Sequence, residues 1–319
     1  MNQLVIASQL DEDFNQVIRR RLEQTHPDAR IIGVPAGVPS DLPAEVSILL
    51  ARPINVRGYL APDTPPPGWP YGLQWVQVVS SGIDFYPKWL FNGPPVSTSR
   101  GSAAENIAEF ALASIFAAAK RLPDIWVHDS AWNFSALTPL KGTTLGILGF
   151  GAIGRSLATK AHALGINVLA LRQSQTPFEV AGVEAARDIH DLFARADHLV
   201  LAAPLTSATR HIVNRAVLAG AKPGLHLINI ARGGLLDHEA LLEALESGTI
   251  GLASLDVTEP EPLPDGHPFY SHPRVHLSPH TSAISSNSGH EIADSFLANL
   301  ERFLSGLAPE NLANVERGY

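Results

Sequence analysis

Cysteine is absent from the 319 residues and methionine occurs once. That rules out a disulfide framework, a thiolate nucleophile and a zinc-cysteine site, and no other motif asks for a metal. No apolar run is long enough for a bilayer: the most apolar stretch, residues 107–119, carries Glu109 and stops well short of the roughly 20 residues a spanning helix needs. Basic residues are in the minority, with Lys+Arg 23 against Asp+Glu 31, a net charge of −8 and a pI near 5.9. Such a surface is a poor match for nucleic acid or an anionic membrane, so neither is expected as a partner. The opening MNQLVIASQL lacks the basic-then-apolar pattern of a secretory signal, which points to a cytoplasmic protein.

What is present is enough apolar material for a large core: 45% of residues are hydrophobic and mean hydropathy is +0.07. A chain of this length is more readily built as two domains than as one. Its first part offers short apolar runs at residues 4–7, 46–50 and 76–79, separated by helical patterns and by a Pro-rich loop at 61–72. A first domain ends near Ser99. Residues 103–120 form an Ala-rich helical pattern closed by Arg121, Leu122 and Pro123, and suit either a core helix or one at a subunit interface. From Lys141 the alternation turns regular, with buried strands predicted at 144–148, 167–171, 198–202, 225–230, 250–255 and 275–277. An amphipathic helix is predicted over 288–304, with Ile292, Phe296, Leu300 and Phe303 on one face, in a tail that can return to the first domain. The alternation predicts α/β layers with parallel sheets.

The strand at 144–148 runs into Gly149-Phe150-Gly151-Ala152-Ile153-Gly154, and a helix follows up to Gly165. In that setting Gly149 permits the tight turn, Gly151 lets the backbone approach a pyrophosphate and Gly154 lets the helix pack on the strand. The helix N-terminus then faces the phosphates. A lone GxGxxG is weak evidence, but this one has the flanking strand, the helix and a second strand ending about 20 residues on. Where NAD-preferring sites place an acidic residue at the end of that second strand, this sequence has Arg172. A guanidinium there can stack on adenine and pair with a 2′-phosphate, with Ser174 as a nearby donor and no carboxylate to repel the phosphate. NADP(H) is therefore expected over NAD(H). The alternative is a solvated surface arginine without a cofactor role, which leaves NAD(H) open.

Arg232, Glu261 and His280 each follow a predicted strand in the same direction, which gathers them at the carboxyl edge of the sheet, where open α/β folds bind ligands. Arg232 suits a carboxylate, and Gly233-Gly234 after it would let a substrate lie against the backbone. An exposed arginine capping a helix is the plainer reading, although Asp237 and Glu239 already suit the next helix start. Glu261 is held between Pro260 and Pro262, yet an acidic residue between prolines is by itself more often solvated loop. His280 is selected from 13 histidines by its place beside the other two, not by its type. Together they suit hydride addition to a 2-oxo acid. His280 supplies the proton, Glu261 favours the protonated ring and fixes it, and Arg232 holds the substrate carboxylate and polarises the carbonyl.

GFGAIG, NIARGGLLD, LDVTEPEPLP and LSPHTSA occur in this order, and over most of its length the sequence resembles the D-isomer-specific 2-hydroxyacid dehydrogenase family, especially its glyoxylate/hydroxypyruvate reductase-like members. The resemblance implies Arg232, Glu261 and His280 as the catalytic set. It implies Ala152, Ile153, Arg172, Pro204, Ile230, Ala231, Asp256 and Ser282 as cofactor contacts, with Asp256 at the nicotinamide amide and Arg232 and His280 beside it. Backbone N–H groups around Ser81 and Gly82, in the loop at 79–84, would bind the substrate carboxylate. The implied architecture is two doubly wound parallel-sheet domains, a flavodoxin-like substrate domain of residues 1–99 and 283–319 and a Rossmann domain of residues 100–282, with a cleft between them. A homodimer built around the nucleotide domains is implied as well. Arg172 departs from the acidic residue of most members, and residues 102–106 depart from the usual Gly-containing approach to Ile107-Ala108-Glu109. The end at Tyr319 argues against the regulatory domain that some phosphoglycerate dehydrogenases append.

The expected activity is NAD(P)H-dependent reduction of a small 2-oxo acid, of glyoxylate or hydroxypyruvate type, to a D-2-hydroxy acid. A dinucleotide-sensing, corepressor-like protein is the rival from another class, since one fold and even one trio can serve a partner contact. A dehydrogenase of a phosphorylated 2-hydroxy acid is a further alternative, without an extra basic cluster in the first domain to support it. Side-chain selectivity would rest on aromatics such as Trp69, Trp75, Phe85 and Trp132, residue types more often found in cores.

Overall fold

Runs such as VIAS and ILLA are apolar at nearly every position, so strands made from them need cover on both faces, the condition met by parallel sheets with helices on either side. The computed structural model, which describes residues 4–55, 59–174 and 176–319, builds both halves of the chain on that plan. In chain order the elements are β1 (Val5–Ser8), α1 (Glu12–Thr25), β2 (Arg30–Gly33), β3 (Ile48–Ala51), β4 (Trp75–Val78), β5 (Val96–Thr98) and α2 (Ala104–Lys120). Then follow β6 (Thr144–Leu148), α3 (Ala152–Ala163), β7 (Asn167–Leu171), β8 (Val183–Ala185), α4 (Ile189–Arg195), β9 (His198–Leu201) and α5 (Arg215–Ala219). Last come β10 (Leu225–Asn229), α6 (His238–Glu246), β11 (Ile250–Leu255), β12 (Val275–Leu277) and α7 (Ser288–Leu304). Two compact units result, Met1–Ala103 with Ser285–Tyr319, and Ala104–Ile284.

In the first unit the parallel strands lie in the order β2-β1-β3-β4-β5, the flavodoxin-like order. Alternate residues of each strand go to opposite faces. Val5 and Ala7 join Leu49, Val76 and Trp89 on one side, while Ile6, Ile48 and Trp75 meet α1 and α7 on the other. Trp75 stacks on Phe296 of α7 at 5.4 Å between ring centroids, so the chain's tail completes this core.

In the second unit the parallel order is β12-β11-β10-β9-β6-β7-β8, the Rossmann arrangement extended by one strand, with its switch point between β6 and β9. Leu145 and Ile147 share one core with Ala108, Ala111 and Ile115 of α2 and Leu157 of α3. Leu199 and Leu201 share the other with α4, α5 and α6. The Ala-rich helix thus buries one face in its own unit. Among the described residues no helix is long and apolar enough to cross a membrane.

Three strands escape the sequence reading: β2, β5 and β8 are the edges of their sheets. An edge strand pairs on one side only and needs little apolar signal, and β2 and β8 are accordingly part-exposed.

Candidate active site

The turn between β6 and α3 has the backbone its glycines require. Gly149 sits at φ +97°, and a Cβ there would come within 2.6 Å of the Ala203 nitrogen. At Gly154 a Cβ would lie 2.9 Å from the Gly149 carbonyl oxygen, so this glycine is what lets α3 close on the turn. Gly151 is different: it is exposed, and a Cβ there would meet nothing within 4 Å. It is also the N-cap of α3 and brings no capping side chain, so the first-turn N–H groups have no partner within the helix. That combination of room and unpaired donors fits a dinucleotide pyrophosphate.

Arg172 comes directly after β7, as expected, but its surroundings correct one expectation. The loop after β7 folds back and brings the Glu179 carboxylate to 3.2 Å from Arg172 Nη1, so a carboxylate does stand beside the guanidinium. Ser174 is exposed next to it and its Oγ meets Thr176 Oγ1 at 3.1 Å.

The loops carrying Arg232, Glu261 and His280 follow β10, β11 and β12, which are consecutive neighbours in register. Adjacent strands lie about 4.8 Å apart, so three side by side deliver their loops to one edge within roughly 10 Å. His280 Nδ1 is 2.8 Å from Glu261 Oε2, with side chains 31% and 36% exposed, enough contact with solvent for a substrate to reach them. The other oxygen of Glu261, Oε1, accepts the Thr258 main-chain N–H at 2.9 Å. The Arg232 carbonyl accepts from Asn229 Nδ2 at 2.9 Å, and Asn229 Oδ1 accepts the Ala231 N–H at 3.1 Å, so a buried asparagine shapes the turn after β10. Ile230 is buried below that turn, and Pro204, in the loop after β9, is exposed with its carbonyl accepting from Thr209 Oγ1 at 2.7 Å.

The two glycines after Arg232 serve a purpose other than the one expected of them. Both are buried, and a Cβ on Gly233 would lie 2.0 Å from the Thr258 carbonyl carbon. The space belongs to the backbone of the Glu261 loop, not to a substrate, so Gly233 is what allows the loops after β10 and β11 to touch.

Several residues that hold this edge were invisible to pattern reading. Glu259 accepts from both terminal guanidinium nitrogens of Arg210 at 2.8 Å, which holds its carboxyl below the usual range and ties the Glu261 loop to the loop after β9. Asn106, in the first turn of α2, donates to the carbonyls of Ser282 at 2.7 Å and Ile284 at 3.2 Å, fastening the segment after His280. Asp256 and Ser282 are both buried there. In the first unit, Ser81 is exposed and Gly82 buried, and the Gly82 carbonyl accepts from Ser80 Oγ at 2.7 Å.

The family model described as D-isomer specific 2-hydroxyacid dehydrogenase, NAD binding domain, matches residues 112–282. The chain is 33% identical over 260 residues to glyoxylate/hydroxypyruvate reductase A of Serratia proteamaculans, covering 77% of this chain and 82% of that protein. It is 32% identical over 257 residues to glycerate dehydrogenase of Methylorubrum extorquens, covering 76% and 79%. Among solved structures, the D-isomer specific 2-hydroxyacid dehydrogenase of Xanthobacter autotrophicus Py2, in complex with NADPH and MES, matches with TM-score 0.79 and 27% identity over 99% of this chain and 100% of that one. With more than half of its length matched by the family model and both parallel sheets shared with the solved relative, the chain belongs to the D-isomer specific 2-hydroxyacid dehydrogenases, oxidoreductases that use a nicotinamide dinucleotide.

Proposed function

We propose that the protein reduces a small 2-oxo acid of the glyoxylate or hydroxypyruvate type to a D-2-hydroxy acid, favouring NADPH over NADH. The observation that carries this reading is the 2.8 Å contact of His280 with Glu261, on the loop next to Arg232 at one sheet edge. When bound, the reduced nicotinamide supplies the hydride that adds to C2 of the substrate. The carbonyl oxygen then gains negative charge, and His280 donates a proton to it. Because Nδ1 is turned to Glu261, Nε2 is the atom that gives the proton. Glu261 holds Nδ1 at 2.8 Å and keeps the ring from turning. Arg232 holds the substrate carboxylate with its forked donors. The Asp256 carboxylate, which accepts from Ser278 Oγ and from the Thr281 and Ser282 main-chain N–H groups, is the acceptor for the nicotinamide amide in this reading.

NADPH is favoured because Arg172 stands where an acidic residue would otherwise bind the ribose hydroxyls, and its Nε is buried without a partner. The relative from Xanthobacter autotrophicus binds NADPH. Steady-state kinetics with glyoxylate, hydroxypyruvate and a phenylpyruvate-like acid, each with both cofactors, tests the reading. Turnover with higher kcat/KM for NADPH supports it, equal or better efficiency with NADH removes the cofactor preference, and tight cofactor binding without turnover on any acid removes the enzyme.

A homodimer belongs to the same proposal. Residues 126–137 expose Trp126, Trp132 and Phe134, the last at 95%, an apolar display that a second copy of the chain would cover. Sedimentation of wild type and of a Trp132→Ser, Phe134→Ser double variant tests this, and a monomeric wild type would refute it.

A further inference from the structure

Arg172 leaves β7 with both of its Nη nitrogens already engaged. Nη1 faces both carboxylate oxygens of Glu179 at 3.2 Å, and Nη2 donates to Thr176 Oγ1 and carbonyl at 2.6 Å and to the Pro177 carbonyl at 2.7 Å. Its Cζ lies 4.8 Å from the centre of the Phe178 ring, and Phe178 in turn packs edge-on against Phe150 of the Gly-rich turn at 4.7 Å. The pair is unequal: the Arg172 side chain is 11% exposed and that of Glu179 is 52% exposed. Packing fixes the cation, while the carboxylate can swing away into water. Glu179's own N–H, then Arg172 and Arg155, hold its carboxyl below the usual carboxylate range, so it is charged at neutral pH.

We propose that Glu179 is a specificity-determining residue, a built-in acidic competitor for the guanidinium that a 2′-phosphate would engage, and that it sets how far the protein prefers NADP(H) to NAD(H). The proposal rests on the NADPH reading above and goes beyond it by naming what limits that preference. A 2′-phosphate brings more charge and more acceptor oxygens than a carboxylate, so it takes Arg172 Nη1 and Glu179 moves out. With an unphosphorylated ribose nothing displaces Glu179, and Arg172 stays neutralised. Exposed ion pairs are weak, so the competition reduces affinity for the phosphorylated ligand by about two- to five-fold.

The test is calorimetric binding to the full chain, with 2′,5′-ADP and 5′-ADP as probes, so that no turnover is involved. In Glu179→Gln, 2′,5′-ADP binds about two- to five-fold more tightly while 5′-ADP is unchanged. In Arg172→Gln, 2′,5′-ADP loses its advantage, and adding Glu179→Gln to that variant changes nothing further. Unchanged or weaker binding of 2′,5′-ADP to Glu179→Gln, or an equal gain for both probes, overturns the proposal. A wild type that prefers 2′,5′-ADP but ignores the Glu179 change sinks this inference alone. A wild type indifferent to the 2′-phosphate whose Glu179→Gln variant acquires a preference sinks the NADPH reading and upholds the competitor.

Discussion

The carboxylate of Asp256, buried just after β11, accepts the main-chain N–H of Ser282 at 3.0 Å. Its other oxygen takes Ser278 Oγ at 2.6 Å and the Thr281 N–H at 2.9 Å, while its carbonyl takes the His280 N–H at 2.9 Å. Asp256 therefore holds the segment on both sides of His280, with Asn106 fastening its far end. His280 itself sits at φ +51°, in the left-handed region, which a side chain tolerates only where its neighbours over-determine the backbone.

Asp256→Asn should destabilise the protein at neutral pH by about 1–3 kcal/mol, since its amide puts a donor against one of three donors in a buried site. Burial pushes the Asp256 carboxyl up, but the hydrogen bonds from Ser278, Ser282 and Thr281 outweigh it and hold it below the usual range. This stabilisation is complete above the unfolded carboxyl pKa of about 3.9 and is lost as pH falls through the lower folded value. Urea unfolding at pH 7 checks it, and a variant as stable as wild type contradicts it.

His280→Gln should lower kcat by about 10²- to 10⁴-fold, the usual contribution of a positioned proton donor. Cofactor affinity should hardly change. Glu261→Gln should cost less, because the ring keeps a hydrogen-bond partner at Nδ1 that fixes its orientation. Arg232→Lys should raise KM for the oxo acid, since a point charge cannot reproduce the forked contact. An active His280→Gln enzyme would end the assignment of the proton donor.

Gly233→Ala and Gly234→Ala separate a backbone clash from a side-chain one. At Gly233 the new Cβ meets the Thr258 carbonyl carbon at 2.0 Å and the Glu259 nitrogen at 2.5 Å, and main chain cannot step aside. At Gly234 it meets Glu259 Oε2 at 2.8 Å and Leu205 Cδ2 at 3.0 Å, groups that can rotate. Gly233→Ala is expected to lose about 1–3 kcal/mol of stability and to displace the Glu261 loop, lowering kcat further than Gly234→Ala does. Thermal unfolding and kcat on the two purified variants give the ranking, and the reverse order refutes it.

Acid should weaken the second unit before its carboxylates titrate. His226 Nδ1 lies 3.2 Å from His198 Nδ1, and His226 Nε2 lies 2.9 Å from Ser254 Oγ, all buried in the sheet. Burial, then His198 and His276, hold His226 down at about 3, and burial lowers His198 too. Here the folded values lie below the unfolded one of about 6.5, so the unfolded chain binds protons first. Stability is complete above about pH 6.5 and declines as pH falls toward the lower folded values. The urea midpoint of wild type should fall between pH 7.5 and 5, and that of His226→Asn should fall less. Parallel curves would show that the pair contributes nothing to acid sensitivity.

Much of the fold was legible in the sequence because its signals are local. A strand buried on both faces must be apolar throughout, a turn at φ +97° must be glycine, and parallel strands all point one way. The last of these is why Arg232, Glu261 and His280, each following an apolar run, could be assigned to one edge before any contact was known. Tertiary structure alone decided which backbone fills the space beside Gly233, that Glu179 folds back onto Arg172, that Arg210 grips Glu259, and that Asp256 suspends the His280 segment. Those contacts join loops whose residues carry no periodicity, and most are far apart in the chain. Their pairing is set by how neighbouring strands lie in the sheet, a relation that exists only once the chain has folded.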